Sequence, residues 1–227
     1  MEIIADVLRR WKGRFAAELG LDLKSGPEAR QQWFLAAVFY GGRISGTLAA
    51  RTFLTFQAAG VYTPAAILAQ GWDKLVVLLD QGGYTRYDFK TATKLLKLMG
   101  ALQARYQGSL ERLHEAAADG IDLERRLMEL APGIGPATVN IFLRELRGVW
   151  PKAGPMLSPL AQAAAVQVGL LPRGLGPREA LEELERHWRA QPAPGHDFAD
   201  LEAALVRLGL ELRRQSKKSK KGLAKSD

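Results

Sequence analysis

The sequence predicts an all-α protein, and three observations support that prediction. Apolar residues recur at spacings of three and four along almost the whole chain, which places them on one face of a helix. Most of these stretches open at Ser, Thr, Asp or Pro and half of them close at Gly, the residues that favour helix starts and ends. No stretch alternates apolar and polar residues far enough to indicate a strand. Only residues 74–80 could form a strand, and the helical patterns on both sides of them argue against it.

The predicted helices follow one another with short connections, as expected of a compact all-α protein. Pro27 suits a first helical turn, and the glycine pair 41–42 suits the end of the same helix. Thr63 and Pro64 open a shorter helix, and Ser109 caps another. In chain order, the predicted helical stretches are residues 3–19, 25–42, 45–60, 64–71, 72–83, 87–108, 110–120, 122–130, 136–150, 158–170, 177–191 and 197–214.

The positive charge of the chain is concentrated at its C-terminal end. The formal net charge is +8, and residues 213–227 contain seven Lys or Arg and one Asp. This composition predicts a basic, disordered arm after the last helix. The arm either holds nucleic-acid phosphates without sequence preference or only keeps the chain in solution.

Composition also excludes several kinds of site. The chain has no cysteine, which excludes disulfides, thiolate nucleophiles and iron–sulfur clusters. None of its three histidines forms a pair at helical metal spacing. No apolar run reaches the length of a membrane span, and the N-terminus does not have the pattern of a signal peptide. We therefore expect a cytoplasmic, monomeric protein without a membrane partner, associated with the nucleoid if it is bacterial.

The most informative stretch is LAPGIGPATVNIFL, residues 130–143. Gly133 and Gly135 permit positive φ and close backbone approach, and Pro136 suits the first turn of a new helix. The N–H groups of residues 135–138 lack intrahelical partners beside the positive end of the helix dipole, which favours a phosphate. Ile134 stands at the tip, where its side chain could lie against a sugar or a groove wall. The alternative is a plain helix corner that binds no ligand.

The longer stretch LMELAPGIGPATVNIFL, residues 127–143, resembles the helix-hairpin-helix motif of the endonuclease III superfamily of DNA glycosylases (HhH-GPD). Residues 35–98 follow the order of helices and turns in that superfamily. The stretches LSPLAQAAAVQVGL and DFADLEAALVRLG occupy the places of its later core helices. The resemblance covers roughly residues 27–212 and implies a two-lobed helical fold with a cleft between the lobes. We place one lobe at about 30–125, the other at about 1–29 and 126–212, and the basic tail at 213–227.

The resemblance implies a protein that binds damaged double-stranded DNA, flips a base out and cleaves its N-glycosidic bond. The catalytic lysine of such enzymes falls on Ala137 here, and the catalytic aspartate falls on Ser158. A methyl group and a neutral hydroxyl do neither task. Lys152 could supply a relocated amine, and Asp88, near Tyr84, a relocated carboxylate. Each also has an ordinary structural explanation, as a solvated lysine or as a charge in a first helical turn.

The resemblance also implies a set of DNA contacts and a cation site. In the hairpin, the candidate DNA-binding residues are Gly133, Ile134, Gly135, Ala137 and Thr138. Elsewhere they are Arg43 and Ser45, in a turn that relatives insert into DNA, and Arg86. By position, the backbone carbonyls of Glu129, Ala131 and Ile134 would hold Na⁺ or K⁺. The superfamily's iron–sulfur loop is missing.

Three functional hypotheses follow from the sequence. The first is a base-excision-repair enzyme with a rearranged site, a DNA glycosylase with or without strand-cleaving lyase activity. The second is a protein that kept the hairpin, lost the chemistry and recognises lesions or distorted duplex. The third is an all-α interaction domain whose glycine turn matches by coincidence.

Overall fold

The computed structural model describes residues 2–223, with side chains described for residues 3–217 and 219. Within those residues every regular element is a helix, which confirms the all-α prediction. The helices are α1 Glu2–Arg10, α2 Phe15–Glu18, α3 Pro27–Tyr40, α4 Gly46–Ala58, α5 Pro64–Gln81, α6 Asp88–Tyr106, α7 Leu110–Ala116, α8 Gly120–Met128, α9 Pro136–Arg144, α10 Pro159–Gln167, α11 Pro177–Ala190 and α12 Phe198–Leu223.

Local sequence explains where most of these helices begin. Five open on a side-chain cap, because an oxygen accepts from the N–H three residues later and satisfies a donor that the helix leaves unpaired. The capping residues are Ser45, Thr63, Ser109, Asp119 and Ser158. Five helices carry proline in the first turn, where its fixed φ fits and its missing N–H costs nothing. Those prolines are Pro27, Pro64, Pro136, Pro159 and Pro177.

One predicted helix is divided in the structure, and one predicted boundary between helices is confirmed, each at a glycine. The predicted helix 3–19 is divided into α1 and α2, and Gly13 between them has a φ of +96°. The two predicted helices 64–71 and 72–83 lie on either side of Gly71, whose φ of 70° and ψ of 176° kink α5. Positive φ is a conformation that glycine adopts without steric penalty.

The chain divides into two compact units. The central unit is Ala16–Pro155, and the split unit combines Met1–Phe15 with Met156–Asp227. This division differs from the predicted one, because residues 16–29 and 126–155, which we placed with the terminal helices, belong to the central unit. For residues 126–155 the reason is tertiary packing between α9 and α3, which the sequence pattern does not encode.

Helix α3 forms the core of the central unit. Its Trp33, Phe34 and Phe39 are fully buried. Phe34 meets Phe142 of α9 edge to face, with ring centroids 4.9 Å apart, and Trp33 Nε1 donates to the Phe142 carbonyl at 3.1 Å. A buried aromatic pair combined with a buried hydrogen bond fixes both position and rotation of a helix. Helix α9 is therefore held on α3, together with the turn that precedes it.

The split unit has its own apolar core, drawn from α1, α10, α11 and α12. Ile4, Val7, Ala164, Leu184 and Leu205 are typical members, all at most 4% exposed. Helices α10 and α12 approach closely where Gly209 of α12 faces the backbone of Leu160.

Helix α12 continues through Leu223, into the segment for which we predicted a disordered arm. Residues 213–223 contain no proline and only one glycine, and their Lys, Arg and Gln residues are good helix formers, so nothing local ends the helix at 212. The Gln215 side chain also donates to Glu211 Oε1 at 3.1 Å, one turn back. Residues 224–227 lie outside the described residues. Across residues 2–223, no helix has the length and hydrophobicity that crossing a bilayer requires.

Candidate nucleic-acid interface

The predicted phosphate site is the turn between α8 and α9, residues 129–135, called here the hairpin turn. Gly133 has a φ of +90°, and Gly135 is extended at φ −110° and ψ 178°, where it opens α9. Ile134 N donates to the Ala131 carbonyl at 3.1 Å, which closes the turn. Leu130 and Ala131 are buried, whereas Pro132, Gly133 and Ala137 are exposed. The turn is therefore fixed from inside by apolar side chains, and its outer surface is mostly backbone.

The first turn of α9 leaves backbone donors open. Among the described residues, no hydrogen-bond acceptor is found for the N–H groups of Gly135, Ala137 and Thr138. Pro136 has no N–H, and Gly135 has no side chain that could cap the helix. Such donors, beside the positive end of a helix dipole, form a site for an anion. The local geometry therefore fits the phosphate-binding prediction.

Two residues of the predicted DNA-contact set are buried instead. The Ile134 side chain is 4% exposed, so the prediction that it lies at the tip against a sugar is wrong. The Ile134 side chain anchors the hairpin turn in the core, because moving an apolar side chain out of water lowers the free energy of the folded state. Thr138 is 3% exposed, which removes its side chain from the predicted contact set.

The turn after α3 packs against the start of α9 and also against the turn before α6. A Cβ added to Gly41 would overlap Thr138 Oγ1 and lie 2.9 Å from Thr138 Cβ. A Cβ on Gly42 would lie 2.8 Å from Tyr84 Oη. The structure thus brings the turn after α3, the turn before α6 and the start of α9 into contact, all within the central unit.

These turns carry the other predicted contacts. Arg43 is exposed in the turn after α3. Ser45 caps α4 by accepting from Leu48 N at 3.1 Å. Arg86 is exposed before α6, with its guanidinium carbon 5.3 Å from the centroid of the Tyr87 ring. The two arginines remain available to an anion at the surface, whereas the Ser45 oxygen serves its own helix.

We expect Gly41→Ala to destabilise the protein by about 1–2 kcal/mol, because an added Cβ forces a well-packed region apart. Gly41 has an ordinary helical φ of −73°, so the cost is steric and not a backbone penalty. Urea unfolding measures it. Removing the obstructing oxygen by Thr138→Ala in the same chain should recover part of the loss. Gly46→Ala is the matched control, since its Cβ would meet nothing closer than 3.8 Å. Equal stability of the Gly41 and Gly46 variants would disprove the contact.

The positions that the resemblance assigns to catalysis carry no catalytic group. Ala137 is an exposed methyl group in the first turn of α9. Ser158 belongs to the split unit and caps α10, accepting from Ala161 N at 3.2 Å. Asp88 is the first residue of α6, and its Oδ1 accepts from Phe89 N at 2.8 Å. Both Ser158 and Asp88 therefore serve the start of a helix.

Lys152 has a structural task that the sequence did not suggest. Its amine donates to the carbonyls of His114, Glu115 and Ala117 at 2.8, 3.1 and 2.5 Å. These three bonds use all the donors of an ammonium group and satisfy the open end of α7. A nucleophilic amine needs its lone pair free, so the prediction of Lys152 as the relocated amine does not agree with this geometry.

The carbonyls that the resemblance assigns to a monovalent cation are partly in use. The Glu129 carbonyl accepts from Arg105 Nη1 at 3.3 Å, and the Ala131 carbonyl accepts from Ile134 N. The guanidinium already brings a positive charge to this backbone, and a second cation beside it would be repelled. A cation at this turn stays a prediction of the resemblance.

Lys94 of α6 is a site residue that the sequence analysis missed. Its Cδ lies 3.4 Å from the position of a Cβ added to Gly133, so its side chain runs past the hairpin turn. Burial lowers the pKa of its amine, and among the described residues no ion pair or hydrogen bond of that amine is found. The available signal was the spacing of Lys90, Lys94 and Lys97, which places three lysines on one stripe of a helix.

Concave surfaces within the split unit do not add to this site. Two grooves of about 660 and 570 Å³ lie against α1, and their linings contain no residue that the sequence singled out. Within residues 2–223, no three His, Cys, Asp or Glu side chains are arranged to hold a metal ion.

No protein-family model matches the chain, and no curated protein is significantly similar to it. Function is therefore inferred from the motif and the geometry around it.

Proposed function

We propose that this protein binds the backbone of duplex DNA through the hairpin turn, as a DNA-repair protein related to the endonuclease III superfamily. The observation that carries the proposal is the set of unpaired N–H groups at Gly135, Ala137 and Thr138 in the first turn of α9, where Pro136 and Ala137 are exposed. A phosphate there would accept hydrogen bonds from fixed donors and lie at the positive end of α9. Glycine at positions 133 and 135 adds no side chain of its own to the approach.

The charges around the turn suit a polyanion. Lys94 runs along Gly133, and Arg43 stands in the turn that packs on Thr138. Phosphate contacts of this kind position a protein on DNA without reading its sequence. The proposal is therefore for a protein that holds the duplex backbone and responds to damage or distortion, within the two-lobed helical fold that the resemblance implies.

Recognition without ordinary base excision has the stronger support of the two possible activities. A glycosylase of this superfamily needs a carboxylate or an amine at the reacting sugar. The expected positions hold Ala137 and Ser158, and Lys152 is fully engaged by three carbonyls. Base excision by a rearranged site is the second candidate, because the Lys94 side chain lies against Gly133 and places an amine beside the hairpin turn.

A panel of labelled duplexes separates these activities. Intact duplex and duplexes carrying uracil, an oxidised base, an alkylated base or an abasic site are each tested for binding by fluorescence anisotropy and for base release. Borohydride is added to trap a Schiff base. Binding without product supports recognition alone. Product, or a trapped adduct, establishes base excision and overturns recognition alone. Absence of duplex binding at low salt rejects the proposed function, because phosphate contacts are strongest there.

A further inference from the structure

One face of α6 is exposed along its first half and combines aromatic with basic side chains. Its buried residues, which include Leu95, Leu98 and Leu102, lie on the opposite side of the helix. At about 100° per residue, the exposed side is a continuous arc. In order around the helix, that arc carries Phe89, Thr93, Lys97, Lys90 and Lys94.

The aromatic edge of the arc is a pair of rings exposed to solvent. Phe89 is 58% exposed and Trp72 of α5 is 38% exposed, and their centroids lie 5.1 Å apart. Trp72 Nε1 donates to Thr93 Oγ1 at 3.0 Å, which holds the indole on α6. Large rings left in water at a fixed position offer a platform on which another flat group can stack.

The basic edge of the arc leads to the hairpin turn. Lys90, Lys94 and Lys97 form no ion pair among the described residues, and Lys94 is the one whose chain lies along Gly133. Between residues 86 and 97 the only acid is Asp88, whose carboxylate accepts from Phe89 N. Lys94 is partly buried without a counter-ion, an arrangement that an incoming anion would stabilise.

We propose that this face of α6 binds a single-stranded stretch of DNA, with a base stacked on the Phe89–Trp72 pair and the phosphates on Lys90, Lys94 and Lys97. Paired and stacked bases do not present their faces to such a platform, whereas unpaired bases do. The charge of the stripe is complementary to a phosphate backbone, and stacking on aromatic rings tolerates any base sequence. The binding of single-stranded DNA on α6 does not depend on the proposed function. Only the continuation of the strand to the hairpin turn rests on it.

The test compares a blunt labelled duplex with the same duplex carrying a short oligo-dT overhang, using the full chain and fluorescence anisotropy. We expect the overhang to bind about tenfold more tightly, as one stacked base would provide. Phe89→Ala should remove most of that gain and leave blunt-duplex affinity unchanged. Leu54→Ala is the matched control, because Leu54 is a 45% exposed apolar residue on α4.

The lysines are tested through the salt dependence of overhang binding. Lys94→Met should reduce the slope of log affinity against log salt by about 0.7, the value for one single-strand phosphate contact. Lys24→Met, at an exposed lysine outside α6, should leave the slope unchanged. Circular dichroism confirms that each variant is folded.

The outcomes distinguish this inference from the proposed function. If the wild type binds the blunt duplex but gains nothing from the overhang, the inference fails and the proposed function stands. If free oligo-dT binds in a Phe89-dependent way while blunt duplex does not bind, the inference stands and the proposed function fails. A borohydride-trapped adduct that requires Lys94, with an unchanged salt slope in Lys94→Met, would overturn the phosphate role of this lysine.

Discussion

Replacing Gly135 by Asp should leave the protein folded and weaken duplex binding roughly a hundredfold. Asp is a favoured N-cap residue, and its carboxylate would accept from the open N–H groups at the start of α9. Gly135 has a φ of −110°, and an added Cβ would meet no atom within 4 Å, so the substitution carries neither strain nor clash. The carboxylate would occupy the phosphate's place and repel it. Losing about 2–3 kcal/mol of charged hydrogen bonding corresponds to the expected loss in affinity.

The matched control is Gly135→Asn, which caps the helix with a side chain of nearly the same size but no charge. Affinity measured by fluorescence anisotropy should fall in the order glycine, asparagine, aspartate. Thermal unfolding should show both variants at least as stable as the wild type, because each adds a capping side chain where glycine has no side chain. An aspartate variant that is folded and binds duplex as tightly as the wild type would remove the hairpin turn from the proposal.

Helix positions were predictable because they depend on neighbouring residues. Ser109 and Ser158 stand three residues before the N–H groups that they cap. Proline at positions 27, 64 and 136 lies in the first turn of its helix. The hairpin turn was predictable for the same reason, since two glycines flanked by prolines leave few alternatives.

The identity of the site residues was less predictable, because it depends on tertiary contacts. Nothing local shows that Ile134 turns inward, or that Lys152 reaches three carbonyls at residues 114–117. The contact of Lys94 with Gly133 joins α6 to the hairpin turn, which is distant from it in the chain. The spacing of lysines in the sequence predicts that they share one face of α6. Which turn of the protein that face contacts depends on tertiary packing.

The same substitution, glycine to alanine, should have opposite effects in α6 and α12. In α12, a Cβ on Gly209 would overlap the Leu160 carbonyl oxygen and lie 2.9 Å from its carbonyl carbon. Because these are backbone atoms of α10, no side-chain rotation relieves the clash. We expect Gly209→Ala to destabilise the split unit by about 3 kcal/mol, at the upper end for overpacked cores.

In α6, a Cβ on Gly100 would meet no atom outside its own helix within 4 Å. Gly100→Ala should therefore stabilise the protein by up to about 1 kcal/mol, the difference in helix propensity. Urea unfolding of both variants measures the two free energies, and far-ultraviolet circular dichroism checks helix content. Stabilisation by Gly209→Ala would contradict the close approach of α10 and α12.

Because Gly100 lies on the same helix as the lysine stripe but carries no side chain, its variant should also bind DNA like the wild type. A more stable α6 with unchanged affinity would show that binding depends on the side chains of the helix and not on its flexibility.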